Sequence, residues 1–248
     1  MKQMEHLTNE KCTYKVPAID DIIKKFDRGT YRIDRYKLLS DLFECGAIAI
    51  SNKFDLPQAE EREKRYLDIM NGYRPAERLL MRDIFGDIFA LLSSVTYSDG
   101  VFDDYLGKLF MNSGVSNDKA GQFFTSYSVS KLTAEMVVDK ETVEKHKKDD
   151  SILTVNEPTC GSGGMVLAML DVLKNKYDFN YARNCFVEAA DIDARCVHMC
   201  YLQLSLAGVP AIIKQQDTLS RKLYQVWKTP AYIMQYTRFC KYERFATK

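Results

Sequence analysis

The residue types best suited to chemistry lie in a glycine-rich segment, Glu157-Pro-Thr-Cys-Gly-Ser-Gly-Gly164. It stands between a short β-branched run and an apolar helical pattern, and in parallel α/β sheets ligands bind at the carboxyl ends of strands. Glycines there let the backbone turn tightly and let a ligand approach it, and the next helix offers free N–H groups. The segment predicts a ligand-binding loop, and its spacing alone also fits a plain strand-to-helix turn.

Acidic residues follow the next two predicted strands. Asp191 ends the strand predicted at 185–190 and can accept hydrogen bonds from both hydroxyls of a ribose. Asp193 either competes for that role or caps the following helix. Asp217, after the strand predicted at 211–213, can accept from the amine of an adenine. The three strand ends together predict a nucleoside pocket, and the alternative is that both acids are only polar residues at strand tips.

The hydrophobic periodicity predicts the elements that position these residues. Helices are predicted at 34–54, 60–70, 76–95 and 105–111, with a wide buried face on the third made by Leu79, Leu80, Ile84, Phe85, Ile88, Phe89, Leu91 and Leu92. Strands at 152–155, 185–190 and 211–213 alternate with helices at 129–138, 165–173 and 194–206, and the charged run 139–151 is expected to be a surface connection. This pattern predicts an α/β fold with a parallel sheet, divided into a helical N-terminal region (1–120) and a ligand-binding domain (121–248).

Composition narrows the classes of function. The 248 residues include 35 Lys and Arg against 34 Asp and Glu, so total charge does not indicate a strongly basic nucleic-acid module, although a local patch remains possible. There is neither a membrane-spanning apolar stretch nor a secretory signal, which favours a cytoplasmic protein. Cys196 and Cys200 share one helix face, a spacing that suits a metal, but no second pair of ligands follows and core packing is expected.

Two motifs in order carry a family resemblance. The segment Glu157-Pro-Thr-Cys-Gly-Ser-Gly-Gly164 resembles the (D/E)PxCGSGG motif of N6-adenine DNA methyltransferases. Gly121-Gln-Phe-Phe-Thr125 is similar to the GQF(F/Y)TP segment that precedes it in the modification subunits of type I restriction–modification systems. The resemblance covers residues 121–219. It implies a Rossmann-like methyltransferase fold, S-adenosylmethionine as cofactor, double-stranded DNA as substrate, and a specificity subunit or other protein as partner.

The resemblance also assigns cofactor-binding roles. The segment that closes over the methionine end of the cofactor corresponds to Gln122, Phe123 and Thr125, and Glu157 corresponds to the acid near the methionine ammonium. Asp191 matches the ribose-binding acid, Asp217 an adenine contact, and Ile192 would pack on the adenine face. The remaining cofactor-binding residues implied are Thr159, Gly161 and Gly163. Ser126 stands where the family usually has proline, and Gln216 where it often has glycine.

The largest departure concerns the catalytic motif (N/D)PP(Y/F), whose polar side chain and aromatic ring hold the target adenine. The nearest match is Thr229-Pro-Ala-Tyr232, after the weak strand pattern 224–228, and it predicts Thr229, Pro230 and Tyr232 as catalytic residues; an ordinary turn is the alternative. Few residues follow, so we expect a sheet that is incomplete at its C-terminus. Basic and aromatic residues alternate at 238–248, which fits nucleic-acid contact, an exposed stub or a docking surface.

The function that the resemblance implies is adenine-N6 DNA methylation by a type I modification-subunit-like enzyme. The alternative is a catalytically inactive methyltransferase-like protein that binds S-adenosylmethionine or regulates a partner. Methylation of RNA, protein or a small molecule is a weaker third possibility, because the same cofactor pocket serves all of these substrates.

Overall fold

Helices form the first part of the chain. The computed structural model describes residues 16–29, 34–97, 100–113 and 124–246. Asp34 caps one of these helices by accepting from the backbone N–H groups of Tyr36 and Lys37. The helices are α1 (Ile19–Gly29), α2 (Arg35–Ser51), α3 (Leu56–Asn71), α4 (Pro75–Tyr97) and α5 (Tyr105–Asn112). The predicted helical N-terminal region is confirmed as far as it is described.

The buried face of α4 is narrower than predicted. Ile84 and Ile88 are buried, whereas Leu79 is 50% exposed and Phe89 is 45% exposed. The reason is helical geometry, because Leu79 lies nine residues before Ile88 and therefore on the opposite side of the helix. Helix α4 therefore has more apolar residues than its buried face can hold, and some of them are exposed.

The charged run 139–151 lies at the surface between α6 and β1, as predicted, and most of it is helical. After α6 (Tyr127–Val137), helix α7 spans Lys140–Lys148. The Asp139 carboxylate caps it by accepting from the Thr142 N–H at 2.8 Å, and its last turn carries basic residues that suit the helix dipole. Val143 is its buried contact with the core.

A four-stranded sheet lies at the centre of the second half, with strand order β1-β2-β3-β4. Strands β1 (Leu153–Glu157), β2 (Cys185–Asp191) and β3 (Ala211–Asp217) are parallel, and β4 (Lys222–Lys228) runs antiparallel to β3. Helix α8 (Gly164–Asp171), a π-helical turn (Val172–Lys176) and α9 (Tyr181–Asn184) connect β1 to β2, and α10 (Ala194–Leu206) connects β2 to β3. The predicted α/β class is confirmed, and the three predicted strands 152–155, 185–190 and 211–213 correspond to the parallel strands β1, β2 and β3.

Apolar side chains cover both faces of the sheet. On one face, Val187, Ile213 and Trp227 join a cluster that continues into α10 and into the N-terminal helices α1, α2 and α4. On the other face, Phe186 and Ile212 pack against Tyr232 of α11 (Pro230–Met234) and Phe239 of α12 (Tyr236–Ala246). The helical region and the sheet therefore share one continuous core.

Two further sequence features have clear places in this fold. Cys196 and Cys200 are buried in the core, as predicted, and His198 packs edge-on against Trp227 with ring centroids 5.0 Å apart. The residues that the structure describes contain no cluster of three or more potential metal ligands. Across the same residues, every helix is too short or too polar to cross a membrane.

Candidate cofactor-binding site

The glycine loop joins β1 to α8. Gly161 and Gly163 have φ angles of +53° and +97°, a left-handed region that favours glycine. A Cβ at Gly161 would lie 3.1 Å from the ring of Phe124, and one at Gly163 would lie 3.1 Å from the Cys200 sulfur. A side chain at either position would require the neighbouring group to shift and would strain the backbone, so both positions favour glycine.

The carboxylate of Asp191 holds this loop in place. Its Oδ2 accepts from the Gly161 N–H at 2.9 Å, and its Oδ1 accepts from the Asp193 N–H at 2.9 Å. Burial raises the pKa of Asp191, and these backbone hydrogen bonds oppose the rise because they stabilise the ionised form. Asp191 therefore connects the end of β2 directly to the glycine loop.

Asp193 has the second of the two roles that the sequence left open. It caps α10 by accepting from the Arg195 N–H, and its carboxylate also accepts from Arg195 Nε at 2.9 Å. The Arg195 guanidinium lies 4.3 Å from the centre of the Tyr36 ring, and burial lowers its pKa. Asp191, rather than Asp193, is the acid that reaches the loop.

A cavity of about 350 Å³ opens beside the loop. Five predicted cofactor-binding residues line it: Thr125, Glu157, Thr159, Gly161 and Asp191. Glu157 ends β1, and its Oε1 accepts from the Thr159 N–H at 3.2 Å and lies 3.4 Å from the Thr159 hydroxyl. Parallel strands bring their carboxyl ends to one edge, which is why residues from distant parts of the chain meet there.

Asp104 also lines the cavity, although the sequence did not predict it as a site residue. It lies in the loop before α5, is almost fully buried, and accepts from the Ser162 hydroxyl and from Gln203 Nε2, the latter at 2.9 Å. Burial raises its pKa, and the bonds from Ser162, Gln203 and the Gly107 N–H oppose the rise. The local sequence marks Asp104 only as a helix cap, because its partners are far along the chain.

Other predicted cofactor residues lie at the same edge but outside the cavity wall. Gly163 lies beneath the loop against α10. Ile192 is 60% exposed, and its carbonyl accepts from Gln215 Nε2 at 3.3 Å. The Asp217 carboxylate accepts from the Leu219 and Ser220 N–H groups. Hydrogen bonding with the Ser220 side chain, and then with these N–H groups, lowers its pKa. Gln122 and Phe123 fall outside the described residues.

The residues predicted to be catalytic lie at the amino ends of the parallel strands, away from the glycine loop, and their catalytic role stays a prediction. Because β4 runs antiparallel, it begins beside Asp217 and ends beside Ile212. At about 3.3 Å per residue, this carries Thr229 roughly 20 Å from the carboxyl edge. The Thr229 hydroxyl donates to the Val209 carbonyl at 2.7 Å and accepts from the Ala211 N–H at 2.9 Å.

Pro230 and Tyr232 belong to the same buried end. Pro230 occupies the first turn of α11, where a missing N–H costs nothing. Tyr232 is fully buried, with its ring 5.8 Å from that of Phe186. These residues close the core and do not meet the glycine loop.

The C-terminal segment packs mainly against the same edge. Phe239 is buried, and the Tyr242 ring stacks on Phe186 at 5.8 Å. Arg238 Nε donates to the Arg183 carbonyl at 2.9 Å, and its Nη2 pairs with Asp150 at 3.4 Å. Two of the aromatic residues that suggested base stacking therefore belong to the core.

Comparison with known proteins identifies one family. The profile described as N-6 DNA methylase matches residues 98–243, a range that begins before Asp104 and includes the whole cavity wall. No curated protein and no solved structure matches the chain.

Proposed function

Because the chain belongs to the N-6 DNA methylase family, we propose that it binds S-adenosylmethionine in the glycine-loop cavity and methylates adenine N6 in double-stranded DNA. The cofactor, when bound, supplies a methyl group on a sulfonium centre. The protein's part in such a direct transfer is mainly positioning, since the reacting atoms must be held in line. A target base inside a duplex must also be turned out of the stack to reach the site.

The charge of the cavity is the observation that carries this proposal. Its described lining includes the carboxylates of Asp104, Glu157 and Asp191 and contains no Lys or Arg. Such a wall favours a ligand that bears positive charge and disfavours one whose main charge is phosphate. S-adenosylmethionine, with its ammonium and sulfonium groups, fits that requirement.

The individual residues suit the parts of the cofactor. Glu157 would hold the ammonium, since hydrogen bonding with Thr159 already orients its carboxylate. Asp191 would accept from the ribose hydroxyls, because each carboxylate oxygen has a lone pair beyond the one that its backbone N–H already uses. The loop backbone at Gly161 would lie against the ligand, with Phe124 and Met165 as apolar walls.

The proposed role follows the type I modification subunits that the two motifs resemble. In that role a specificity subunit or another protein partner reads the target sequence, and this chain supplies the cofactor site. A second candidate is a family member that binds the cofactor without transferring the methyl group. The location of Thr229, Pro230 and Tyr232 at the far edge favours this second candidate, because the nearest match to the catalytic motif does not face the cavity.

Calorimetric titration of S-adenosylmethionine tests the cofactor site. We expect micromolar binding by the wild type and a loss of about tenfold or more in Asp191→Asn, which keeps the shape of the side chain but removes its charge. Asp178→Asn is the matched control, because Asp178 is exposed and has a φ of +49° that asparagine tolerates. A folded wild type that does not bind the cofactor would contradict the proposal.

Mass spectrometry of DNA separates the two candidates. Cells that express the wild type, alone and with a candidate specificity subunit, are compared with cells that express Asp191→Asn. N6-methyladenine that depends on Asp191 supports the transferase. Cofactor binding without N6-methyladenine in any combination supports the second candidate.

A further inference from the structure

The hairpin between β3 and β4 presents an unusual surface. Leu219 at its tip is 97% exposed, and Leu223 and Tyr224 on β4 are about half exposed. Arg221 and Lys222 stand between them and are also exposed. Single exposed apolar residues are common, but here three of them share one short hairpin with two adjacent cations.

The tip is held in a fixed conformation. The Asp217 carboxylate accepts from the N–H groups of Leu219 at 3.0 Å and Ser220 at 3.2 Å. The Ser220 hydroxyl accepts from the Lys222 N–H at 3.4 Å, and Arg221 has a φ of +59°, uncommon for a residue other than glycine. The exposed Leu219 side chain is therefore presented by an ordered turn.

The tip is also fixed beside the cavity. The Thr218 hydroxyl donates to the Pro158 carbonyl at 2.6 Å. Pro158 lies between Glu157 and Thr159, which both line the cavity. The hairpin tip is therefore attached to the segment that forms one wall of the cavity.

The charges of the tip favour a polyanion. Among the residues that the structure describes, neither Arg221 nor Lys222 forms an ion pair, and the Lys222 ammonium lies 5.1 Å from the centre of the Tyr224 ring. The carboxylate of Asp217 is occupied in capping the turn. By contrast, Arg238 of the C-terminal segment is paired with Asp150.

We propose that residues 218–224 form a DNA-contacting hairpin, in which Arg221 and Lys222 contact phosphates and Leu219 packs against a base step. Basic residues combined with an apolar wedge are a recurrent means of gripping and locally unstacking DNA. The contact places the duplex over the cavity, where a base turned out of the stack meets the cofactor site. This inference rests on the proposed function for its choice of DNA as the polyanion.

The test is the salt dependence of duplex binding, measured by fluorescence anisotropy with a labelled DNA duplex. In Arg221→Asn/Lys222→Gln, we expect affinity to fall about tenfold and the slope of log K against log salt to decrease by about 2. Asparagine is used at Arg221 because it tolerates positive φ. In Leu219→Ala, we expect a several-fold loss of affinity with the salt slope unchanged.

The matched control is Lys145→Gln/Lys148→Gln. These lysines are exposed on α7, which precedes β1, whereas the hairpin joins β3 to β4 at the other end of the strand order. Removing them changes the net charge by the same amount. Control binding equal to the wild type is expected. A loss as large as that of the hairpin variant, an unchanged slope in the hairpin variant, or no duplex binding by the wild type would each overturn the inference.

The outcomes also separate this inference from the proposed function. If the wild type methylates DNA and the hairpin variants bind the duplex normally, the hairpin inference fails and the function stands. If the hairpin variants lose duplex binding but the wild type produces no N6-methyladenine, the hairpin contact stands and the transferase function fails.

Discussion

The two edges of the sheet use the same strands for opposite purposes. At the carboxyl edge, Gly161 and Asp191 form an open wall of backbone and carboxylate groups around a cavity. At the amino edge, the Thr229 hydroxyl satisfies buried backbone groups, and Tyr232 and Phe239 seal the core. The difference shows that the direction of a strand decides whether the segment after it reaches a site or closes a core.

The largest expected effect is a loss of stability when a side chain is removed from the buried amino edge of the sheet. Tyr232→Ala removes a fully buried ring that packs on Phe186, and we expect the free energy of unfolding to fall by about 3–5 kcal/mol. Tyr236→Ala, at a half-exposed position nearby, should cost below about 1 kcal/mol. Chemical denaturation measures both. A stable Tyr232→Ala variant that loses only methyl transfer would support the catalytic role predicted for this residue and contradict a purely structural one.

A smaller effect is expected when the hydrogen bonds of the same edge are removed. Thr229→Val keeps the shape of the side chain but leaves the Ala211 N–H and the Val209 carbonyl without their hydroxyl partner. An expected cost of about 2 kcal/mol follows from the burial of these polar groups. Thr133→Val, which removes an exposed hydroxyl bonded to the Val129 carbonyl, is the control and should change unfolding by less than about 0.5 kcal/mol. Cofactor affinity measured on the folded fraction should be unchanged in both variants. A loss of cofactor affinity in Thr229→Val alone would contradict a purely structural role for Thr229.

At the open edge, a methyl group should affect binding more than folding. Gly161→Ala places a Cβ 3.1 Å from the Phe124 ring at a φ of +53°, so we expect a cost of about 1 kcal/mol together with weaker S-adenosylmethionine binding. Gly208→Ala is a matched control, since its φ is +69° but the new Cβ meets only the Thr96 methyl at 3.9 Å. Calorimetry should show weakened binding in the first variant alone. Equal affinity in both variants would mean that the loop does not touch the ligand.

The smallest effect is a dependence on pH. Burial raises the pKa of Asp191, so this carboxylate takes up its proton at a higher pH than an ordinary aspartate. Acidification to that raised pKa should therefore weaken cofactor binding about twofold, and Asp191→Asn should lack this component. The contribution of Asp191 to stability has the opposite sign: the folded state holds the proton more tightly, so this contribution decreases as pH rises through the raised pKa. Titration calorimetry at a series of pH values checks the affinity, and a binding curve that improves on acidification would contradict the role of Asp191.

Local patterns predicted the open edge better than the sealed one. The alternation of strands and helices, the glycine loop and Asp191 are readable because parallel strands bring their carboxyl ends together. The pattern of β4 identifies a strand but not its direction, since side-chain alternation is the same in a parallel and an antiparallel strand. The place of Thr229 therefore depended on information that the local residues do not contain.

Two further features of the structure were not predicted from the sequence, because they depend on tertiary contacts. Asp104 supports the glycine loop through Ser162 and Gln203, contacts between distant parts of the chain that no local pattern marks. The sequence did not predict helix α7, because its only buried side chain is that of Val143 and a single apolar residue gives no helical periodicity. Helix propensity, capping and one tertiary contact are sufficient to form this helix, whereas hydrophobic periodicity predicts a helix only where several apolar residues share one face.

Hydrogen–deuterium exchange with and without S-adenosylmethionine tests the difference between the two edges most directly. The account predicts new protection in the glycine loop (158–164) and at the end of β2 (189–193), with no change at 229–234. Protection confined to 229–234, or no protection at the loop under saturating cofactor, would contradict it.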